Sequence, residues 1–233
     1  MRIVVYGVPA ARESARKLGA ALGVRIFIDH FPLLSPATKI INYGNSVMYD
    51  YWDQVLINRP GAVRNCIDKV ETFKILKKAG VKIPQFATNK KDIGKDWDTV
   101  VVRSDIYAAK NQGLDYWYRW RKKRIPDAPL YTKFFEHKKE FRVCVLRHED
   151  KNYVEAYQKV SNGNGEWELI HVNHKTHDYM KDQCILAAEA LKIDYVGFDV
   201  LYNSYADFVI LEANSAPILT EEMVLHFKQL LGK

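Results

Sequence analysis

The sequence lacks any apolar run near the roughly 20 residues that a helix needs to cross a bilayer. Its first residues read as a strand followed by a basic amphipathic helix, without the long apolar stretch and small-residue cleavage site of a signal peptide. Its cysteines, Cys66, Cys144 and Cys184, show neither disulfide nor metal-ligand spacing, which is typical of reduced thiols in the cytosol. We therefore expect a cytoplasmic protein that does not enter a membrane.

The common nucleotide-binding motifs are also missing. Gly7 stands alone after the first apolar strand, so there is no GxGxxG fingerprint of a dinucleotide-binding fold. The sequence has no GxxxxGKS/T segment, which excludes a P-loop NTPase, and no HRDxxxxN segment, which excludes a protein-kinase catalytic loop. A nucleotide enzyme with this sequence must therefore use another architecture.

Positive charge, by contrast, is in excess. The 233 residues are 48% hydrophobic and 27% charged, which suits a globular chain with a sizeable core, and the net charge is +7. Residues 116–124, YWYRWRKKR, mix aromatic and basic side chains, as nucleic-acid-binding surfaces do. A solvated basic loop has the same composition, so nucleic-acid binding is an alternative that this stretch alone does not favour.

The start of the chain has the pattern of a small β-α-β unit. Apolar strands are predicted at 2–7, 24–28 and 39–44, and helical apolar spacing predicts a helix over 10–22. A turn at 58–61, NRPG, separates this unit from the rest of the chain.

The remainder predicts a mixture of helices and strands. Helices are predicted at 68–79, 177–192 and 220–231, and strands at 85–88, 99–104, 130–136, 140–146, 153–160, 196–202 and 207–214. The last four strands read as two hairpins, which turn at HEDKN and at NSYA. The chain is therefore of mixed α and β structure.

Oxygen-bearing side chains near the carboxyl end suggest a metal site. Glu212 and Asn214 are two residues apart at the end of a strand, so both point to one face, and Asp199 shares that face if the hairpin pairs through its short turn. Carboxylates of this kind suit Mg²⁺, which takes few protein carboxylates together with substrate phosphates. The alternative is that each is an isolated strand-end polar residue, but acids inside apolar strands are costly unless paired or metal-bound.

Basic residues lie at strand ends and helix starts along the same part of the chain: Lys69, Arg103, Arg142 and Lys159. Any one of them could be a solvated surface residue. Together, beside a candidate Mg²⁺ site, they have the composition of a phosphate-binding cluster.

These segments resemble the motifs of the ATP-grasp superfamily. DKVETFKILKKAGVKIPQF resembles its lysine helix, TVVVRSDIYAAKNQGL its second basic strand and phosphate-covering loop, LYTKFFEHKKEFRVCVL its hinge and E-F-R-V strand, and VGFDVLYNSYADFVILEANSAPIL its metal-binding end. The motifs occur in the family's order, and the chain is most similar to the compact, RimK-like group, which includes many phage-encoded members. The resemblance implies an α+β fold with ATP between two lobes, preceded by a reduced α/β domain.

The implied boundaries place the reduced pre-ATP-grasp domain at 1–58 and the ATP-grasp domain at 59–233. Within the latter, the small lobe would span about 66–130, and the hinge and large lobe about 131–233.

The resemblance also implies roles for individual residues. Lys69 and Arg103 would contact the α- and β-phosphates, and Asp199, Glu212 and Asn214 would hold Mg²⁺, with Mn²⁺ as an alternative. The nucleotide would further be bound by the hinge and its neighbours: Lys133, Phe134 and Phe135 through backbone groups, Glu136 or Glu140 at the exocyclic amine or ribose, and Asn173 at a phosphate or the substrate. Arg142 would stabilise the transferred phosphoryl group, with Lys159 as a further contact.

The sequence departs from the family pattern without losing a metal ligand or the first lysine. Arg103 stands where many members have Lys, the covering loop has a single Gly, and Ile218 stands where Gly usually follows Pro. We therefore expect an active ATP-dependent carboxylate–amine ligase that uses small-molecule or peptide substrates, with a partner protein as a candidate for completing the substrate site. The alternative is an ATP-grasp-derived nucleotide-binding or nucleic-acid-associated protein without ligase turnover.

Overall fold

A computed structural model describes residues 2–28, 30, 34–47, 52–107, 113–121, 124–163, 167–172 and 177–232. The first unit is a parallel sheet of β1 (Arg2–Gly7), β2 (Arg25–Ile28), β3 (Thr38–Tyr43) and β4 (Val55–Ile57), in the order β2-β1-β3-β4. Helix α1 (Arg12–Leu22) ends at Gly23, whose φ of 64° suits glycine at a helix end. The three predicted strands and the helix are confirmed, whereas the short edge strand β4 was not predicted.

The second sheet is antiparallel and lies in the middle of the chain. It contains β5 (Phe86–Ala87), β6 (Thr99–Arg103), β7 (Leu114–Tyr118) and β8 (Leu130–Lys133), in the order β5-β8-β6-β7. Strand β7 was not predicted, because its residues follow the segment that resembles a covering loop and overlap the basic stretch 116–124. Its aromatic residues are in fact strand residues at the edge of this sheet.

The third sheet is antiparallel and carries the end of the chain. It contains β9 (Lys139–His148), β10 (Lys151–Ser161), β11 (Trp167–His171), β12 (Tyr195–Tyr202) and β13 (Phe208–Asn214), in the order β11-β10-β9-β12-β13. Both predicted hairpins are confirmed, whereas strand β11 was not predicted.

The helices after residue 58 also follow the predictions, with one exception. Helix α3 (Lys69–Lys78) begins after Asp68, whose carboxylate accepts hydrogen bonds from the backbone N–H groups of Val70 and Glu71. Helices α4 (Asp178–Leu191) and α5 (Glu221–Leu231) match their predicted spans closely. Helix α2 (Pro60–Ile67) was read as a turn, although Pro is well suited to the first position of a helix. No helix in the described ranges has the length and apolarity to span a membrane.

The third sheet is covered differently on its two faces. One face carries Val143, Val145 and Phe198, which pack with α4 in one apolar cluster. On the opposite face, Cys144, Leu146, Tyr157 and Tyr195 belong to a second cluster with residues of the first unit and of α5. Further along that face, the strands carry charged side chains instead of apolar ones.

Asn58 joins the first unit to the third sheet. It is fully buried and has a left-handed backbone, with φ 62°. Its Nδ2 donates to the Tyr195 carbonyl at 2.8 Å, and its Oδ1 accepts from the backbone N–H of Tyr195 at 2.7 Å and of Asp194 at 3.1 Å. The predicted domain boundary at residue 58 therefore falls on a residue that contacts both sides.

Candidate active site

The predicted metal-binding residues lie on one face at the end of the third sheet. Asp199 on β12 is directly opposite Glu212 on β13, and Asn214 is opposite Gly197. Residues directly opposite each other in an antiparallel pair point to the same side, so the predicted shared face is confirmed. The Asn214 Oδ1 accepts a hydrogen bond from the Ala216 N–H at 3.0 Å, which fixes the amide and leaves the oxygen a second lone pair.

Two basic residues of neighbouring strands contact Asp199. Arg142 on β9 donates from Nε to Asp199 Oδ1 at 2.7 Å and from Nη2 to Oδ2 at 3.1 Å. Lys159 Nζ on β10 lies 3.0 Å from Glu140 Oε2 and 3.8 Å from Asp199 Oδ1. Burial is the largest single influence and disfavours the charged guanidinium, but the attraction and hydrogen bonds of Asp199, together with smaller favourable contributions, raise the pKa of Arg142 above its usual value.

The remaining two predicted cations interact electrostatically with Glu212. Lys69, the first residue of α3, places Nζ 3.5 Å from Glu212 Oε1. Arg103 ends β6 and is 7% exposed, and burial lowers the pKa of its guanidinium although Glu212 attracts the positive charge. Among the described residues, Arg103 Nε has no hydrogen-bond partner. A buried, unpaired donor is costly, and an anion such as a phosphate would satisfy it.

Part of the predicted hinge, residues 133–135, is hydrogen-bonded to the second sheet and its flanking residues. The Lys133 N–H donates to the Gln85 carbonyl at 2.9 Å, and the Phe134 N–H donates to the Thr99 carbonyl at 3.0 Å. These two amides are therefore not available to an adenine base, and Phe135 is the hinge residue whose N–H could meet it. The Lys133 ammonium instead contacts Asp96 Oδ2 at 2.6 Å.

The two hinge glutamates differ in position. Glu140 lies within the charged cluster, because its Oε1 is 3.2 Å from His137 Nε2 while its Oε2 meets Lys159. Glu136 is exposed, and its carbonyl accepts a hydrogen bond from Asn203 at 2.8 Å. Asn173, also predicted to contact nucleotide or substrate, lies outside the described residues.

Two aromatic residues near the cluster were not predicted as site residues. Lys159 Nζ is 4.9 Å from the centroid of the Trp167 ring, which is half-exposed on β11. Tyr116 on β7 is opposite Val101, two residues from Arg103 on the same face of β6. Tyr116 was noted only as part of the basic stretch, and Trp167 gave no signal because β11 itself was missed.

Part of the basic stretch is structural. Arg119 donates from Nε to the Trp97 carbonyl at 3.2 Å and from Nη2 to the Gly94 carbonyl at 2.9 Å, and its guanidinium lies 5.8 Å from the Trp117 ring. These contacts anchor the end of β7 to the loop before β6. Lys122 and Lys123 lie outside the described residues.

The residues of this face fit a divalent cation shared with a nucleotide. Asp199, Glu212 and Asn214 supply oxygen atoms only, which is the ligand chemistry of Mg²⁺. Within the described ranges, no group of three or more His, Cys, Asp or Glu side chains could hold a metal ion. A cation here would take few ligands from the protein and the rest of its coordination from phosphate or water oxygens.

Comparisons with known proteins identify the fold. No protein-family model and no curated protein matches the chain. D-alanyl-alanine synthetase A from Vibrio cholerae is similar over 99% of this chain and 96% of its own, with 11% identity and a TM-score of 0.67. The ATP-grasp ligase PsnB, complexed with a minimal precursor, Mg and ADP, is similar over 98% and 96%, with 17% identity and a TM-score of 0.67. D-alanine–D-alanine ligase from Bacillus anthracis, complexed with ATP, is similar over 100% and 92%, with 14% identity and a TM-score of 0.64.

Proposed function

We propose that this chain, which has the α+β fold of ATP-grasp ligases, is an ATP-dependent carboxylate–amine ligase. It would activate a carboxylate as an acyl phosphate and join it to an amine, releasing ADP and phosphate. The observation that carries the proposal is the convergence of cations on two carboxylates: Lys69 and Arg103 approach Glu212, while Arg142 and Lys159 approach Asp199. Alternating charges of this density suit a bound metal–triphosphate group.

Two of these four basic residues would bind the phosphates, and the other two would assist phosphoryl transfer. Lys69 and Arg103 would hold the α- and β-phosphates, and the unpaired Arg103 Nε offers a donor for one of their oxygens. Arg142 on β9, the neighbour of the Asp199 strand, and Lys159 on β10, the next strand, would stabilise charge on the phosphoryl group during transfer. Bound between Asp199, Glu212 and Asn214, Mg²⁺ would neutralise phosphate charge.

The chemistry needs two substrates brought together without water. A carboxylate oxygen attacks the γ-phosphorus and ADP leaves, and the amine then attacks the acyl carbon and phosphate leaves with its electron pair. The loop between β6 and β7, which follows Arg103 directly, would cover the phosphates. Residues 108–112 of this loop lie outside the described residues.

The base of the nucleotide would lie at the hinge. The Phe135 backbone and Glu140 are the groups there that would read the adenine edge or the ribose, since the N–H groups of Lys133 and Phe134 are used in the second sheet. We favour a small amine or a peptide as the acceptor over a nucleic acid, since Arg119 is bound to backbone carbonyls. A further structure of PsnB is complexed with a precursor peptide, which supports a peptide as one candidate.

The test is a screen for ADP release. The protein is incubated with Mg-ATP and pools of amino acids and peptides, ADP is measured by a coupled assay, and products are identified by mass spectrometry. We expect ADP formation that depends on both a carboxylate and an amine, with a product lighter than the sum of the two by one water. Glu212→Gln is the control for contaminating activity. Nucleotide binding without ADP formation in any pool would favour the non-catalytic alternative.

A further inference from the structure

Arg142 occupies both oxygens of Asp199. Its Nε and Nη2 bond to Oδ1 and Oδ2 respectively, in the parallel two-bond geometry that gives the strongest arginine–carboxylate contacts. Both side chains are largely buried, with 14% of the Arg142 and 19% of the Asp199 side chain exposed. A metal ion bound to Asp199 would lie beside this guanidinium, and two positive charges at such a distance repel each other.

Gly197 provides the space in which the Arg142 side chain lies. A Cβ added at Gly197 would stand 3.0 Å from Arg142 Cδ and 2.7 Å from Pro217 Cβ, both closer than ordinary contact. Gly197 is two residues from Asp199 on β12 and directly opposite Cys144 of β9, two residues from Arg142. Any side chain at position 197 would therefore push the aliphatic part of Arg142 away from its present path to Asp199.

We propose that Gly197 is a positioning residue that lets Arg142 hold Asp199 in the nucleotide-free protein, so that a divalent cation and a nucleotide bind together rather than separately. A triphosphate gives the guanidinium another anion with the same two-bond geometry. When Arg142 binds phosphate, both Asp199 oxygens become available to the metal ion. A metal ion bound to Asp199 in turn favours the contact between Arg142 and phosphate. This coupling rests on the proposed nucleotide site, and it is reciprocal: each ligand raises the affinity for the other by the same factor.

The first arm of the test measures Mn²⁺ binding without nucleotide, by the loss of the electron paramagnetic resonance signal of free Mn²⁺. Arg142→Met should bind Mn²⁺ more tightly than the wild type, by roughly five- to 150-fold, the usual range of coupling between sites. Adding Asp199→Asn to this variant should remove the gain, which places the metal at Asp199. Arg147→Met is the matched control, since Arg147 is on the same strand but pairs with Glu189 at 3.3 Å, and it should leave Mn²⁺ affinity unchanged.

Because Arg142→Met removes both hydrogen bonds of a largely buried carboxylate and could impair folding, Gly197→Ala provides a second variant that keeps every charge. It should also raise Mn²⁺ affinity. Its closest contact is with Pro217, so the same substitution is made in a Pro217→Gly background, where only the contact with Arg142 remains. The gain in Mn²⁺ affinity should persist there.

The second arm measures binding of AMPPNP, an ATP analogue with a full triphosphate group, by calorimetry in EDTA. Asp199→Asn frees Arg142 for phosphate, so metal-free AMPPNP should bind more tightly to this variant than to the wild type. If Arg142→Met and Gly197→Ala are folded and bind Mn²⁺ no better than the wild type, the inference is wrong. If instead AMPPNP binds to no form of the protein while these variants gain Mn²⁺ affinity, the competition at Asp199 stands and the proposed ligase function fails.

Discussion

The Lys69 ammonium lies 3.5 Å from Glu212 Oε1 and joins the first residue of α3 to the last strand of the third sheet. The Lys69 side chain is 11% exposed, whereas that of Glu212 is 36% exposed. The cation is thus fixed at the base of the site, while its partner still faces the space in front of the sheet. This arrangement suits a lysine whose ammonium group is already positioned to bind a phosphate.

Lys69→Met should weaken binding of Mg-ADP by roughly ten- to hundredfold, because a charge-assisted hydrogen bond contributes about 1.5–3 kcal/mol. Isothermal titration calorimetry measures the change. Lys74→Met is the matched control, since Lys74 is on the same helix but exposed and 3.8 Å from Glu71. An unchanged affinity for Lys69→Met would remove Lys69 from the phosphate site.

Glu212→Gln should abolish turnover, because the nearly isosteric change removes only the charge that a metal requires. Asn214→Asp should be milder, since an oxygen ligand remains. The rate of ADP formation with the substrates found in the screen gives the comparison, and far-UV circular dichroism checks that both variants are folded. Turnover of Glu212→Gln at the wild-type rate would place the metal elsewhere.

Mg-ATP should raise the melting temperature of the wild type, because it binds the folded chain and not the unfolded one. GTP should raise it less, since backbone groups of a hinge distinguish the adenine edge from that of guanine. Differential scanning fluorimetry at millimolar nucleotide, with and without Mg²⁺, provides the measurement. A chain that shows no shift with any of these nucleotides does not bind ATP, and the proposed function then fails.

Arg119→Gln should lower the free energy of unfolding by about 0.5–1 kcal/mol, because two hydrogen bonds to backbone carbonyls are lost at a partly solvated site. Arg124→Gln, at an exposed position of the same basic stretch, should change it by less than about 0.5 kcal/mol. Urea denaturation compares the two.

The wild type should show no salt-dependent binding to DNA or RNA. Binding that weakens steeply as the salt concentration rises would instead support the alternative of a nucleic-acid-associated protein.

All three thiols should be unreactive in the folded protein at pH 8. Burial raises the pKa of Cys66 and of Cys144 to about 12 and raises that of Cys184 as well, so each is protonated and shielded at that pH. A disulfide reagent such as DTNB should therefore label none of them until the chain is unfolded in guanidinium, when all should react. Rapid labelling of the native protein would show that a cluster around one of these residues opens.

The sequence was informative where a contact depends on residues close together in the chain: Glu212 and Asn214, two residues apart in one strand, share a face by alternation alone. Asp199 lies opposite Glu212 only because the register of the hairpin shifts between Asp199 and Val200, and alternation does not predict that shift. The contact of Arg142 with Asp199 could not be predicted, since it depends on the register between β9 and β12, strands that are far apart in the sequence. Helix α2 was missed for a different reason, because Pro60 and Gly61 have the composition of a turn and only packing shows that they begin a helix.

The side chain of Asn58 has a consequence for modularity. Its amide group hydrogen-bonds to the backbone at the start of β12. The first unit, which ends at Asn58, covers Tyr195 and Leu146 of the third sheet. A cut at the boundary between 58 and 59 would leave this part of the sheet with bare apolar surface and unsatisfied backbone groups. The leading unit thus covers one side of the third sheet, and deletion or exchange of it should yield an insoluble remainder rather than an independently folded domain.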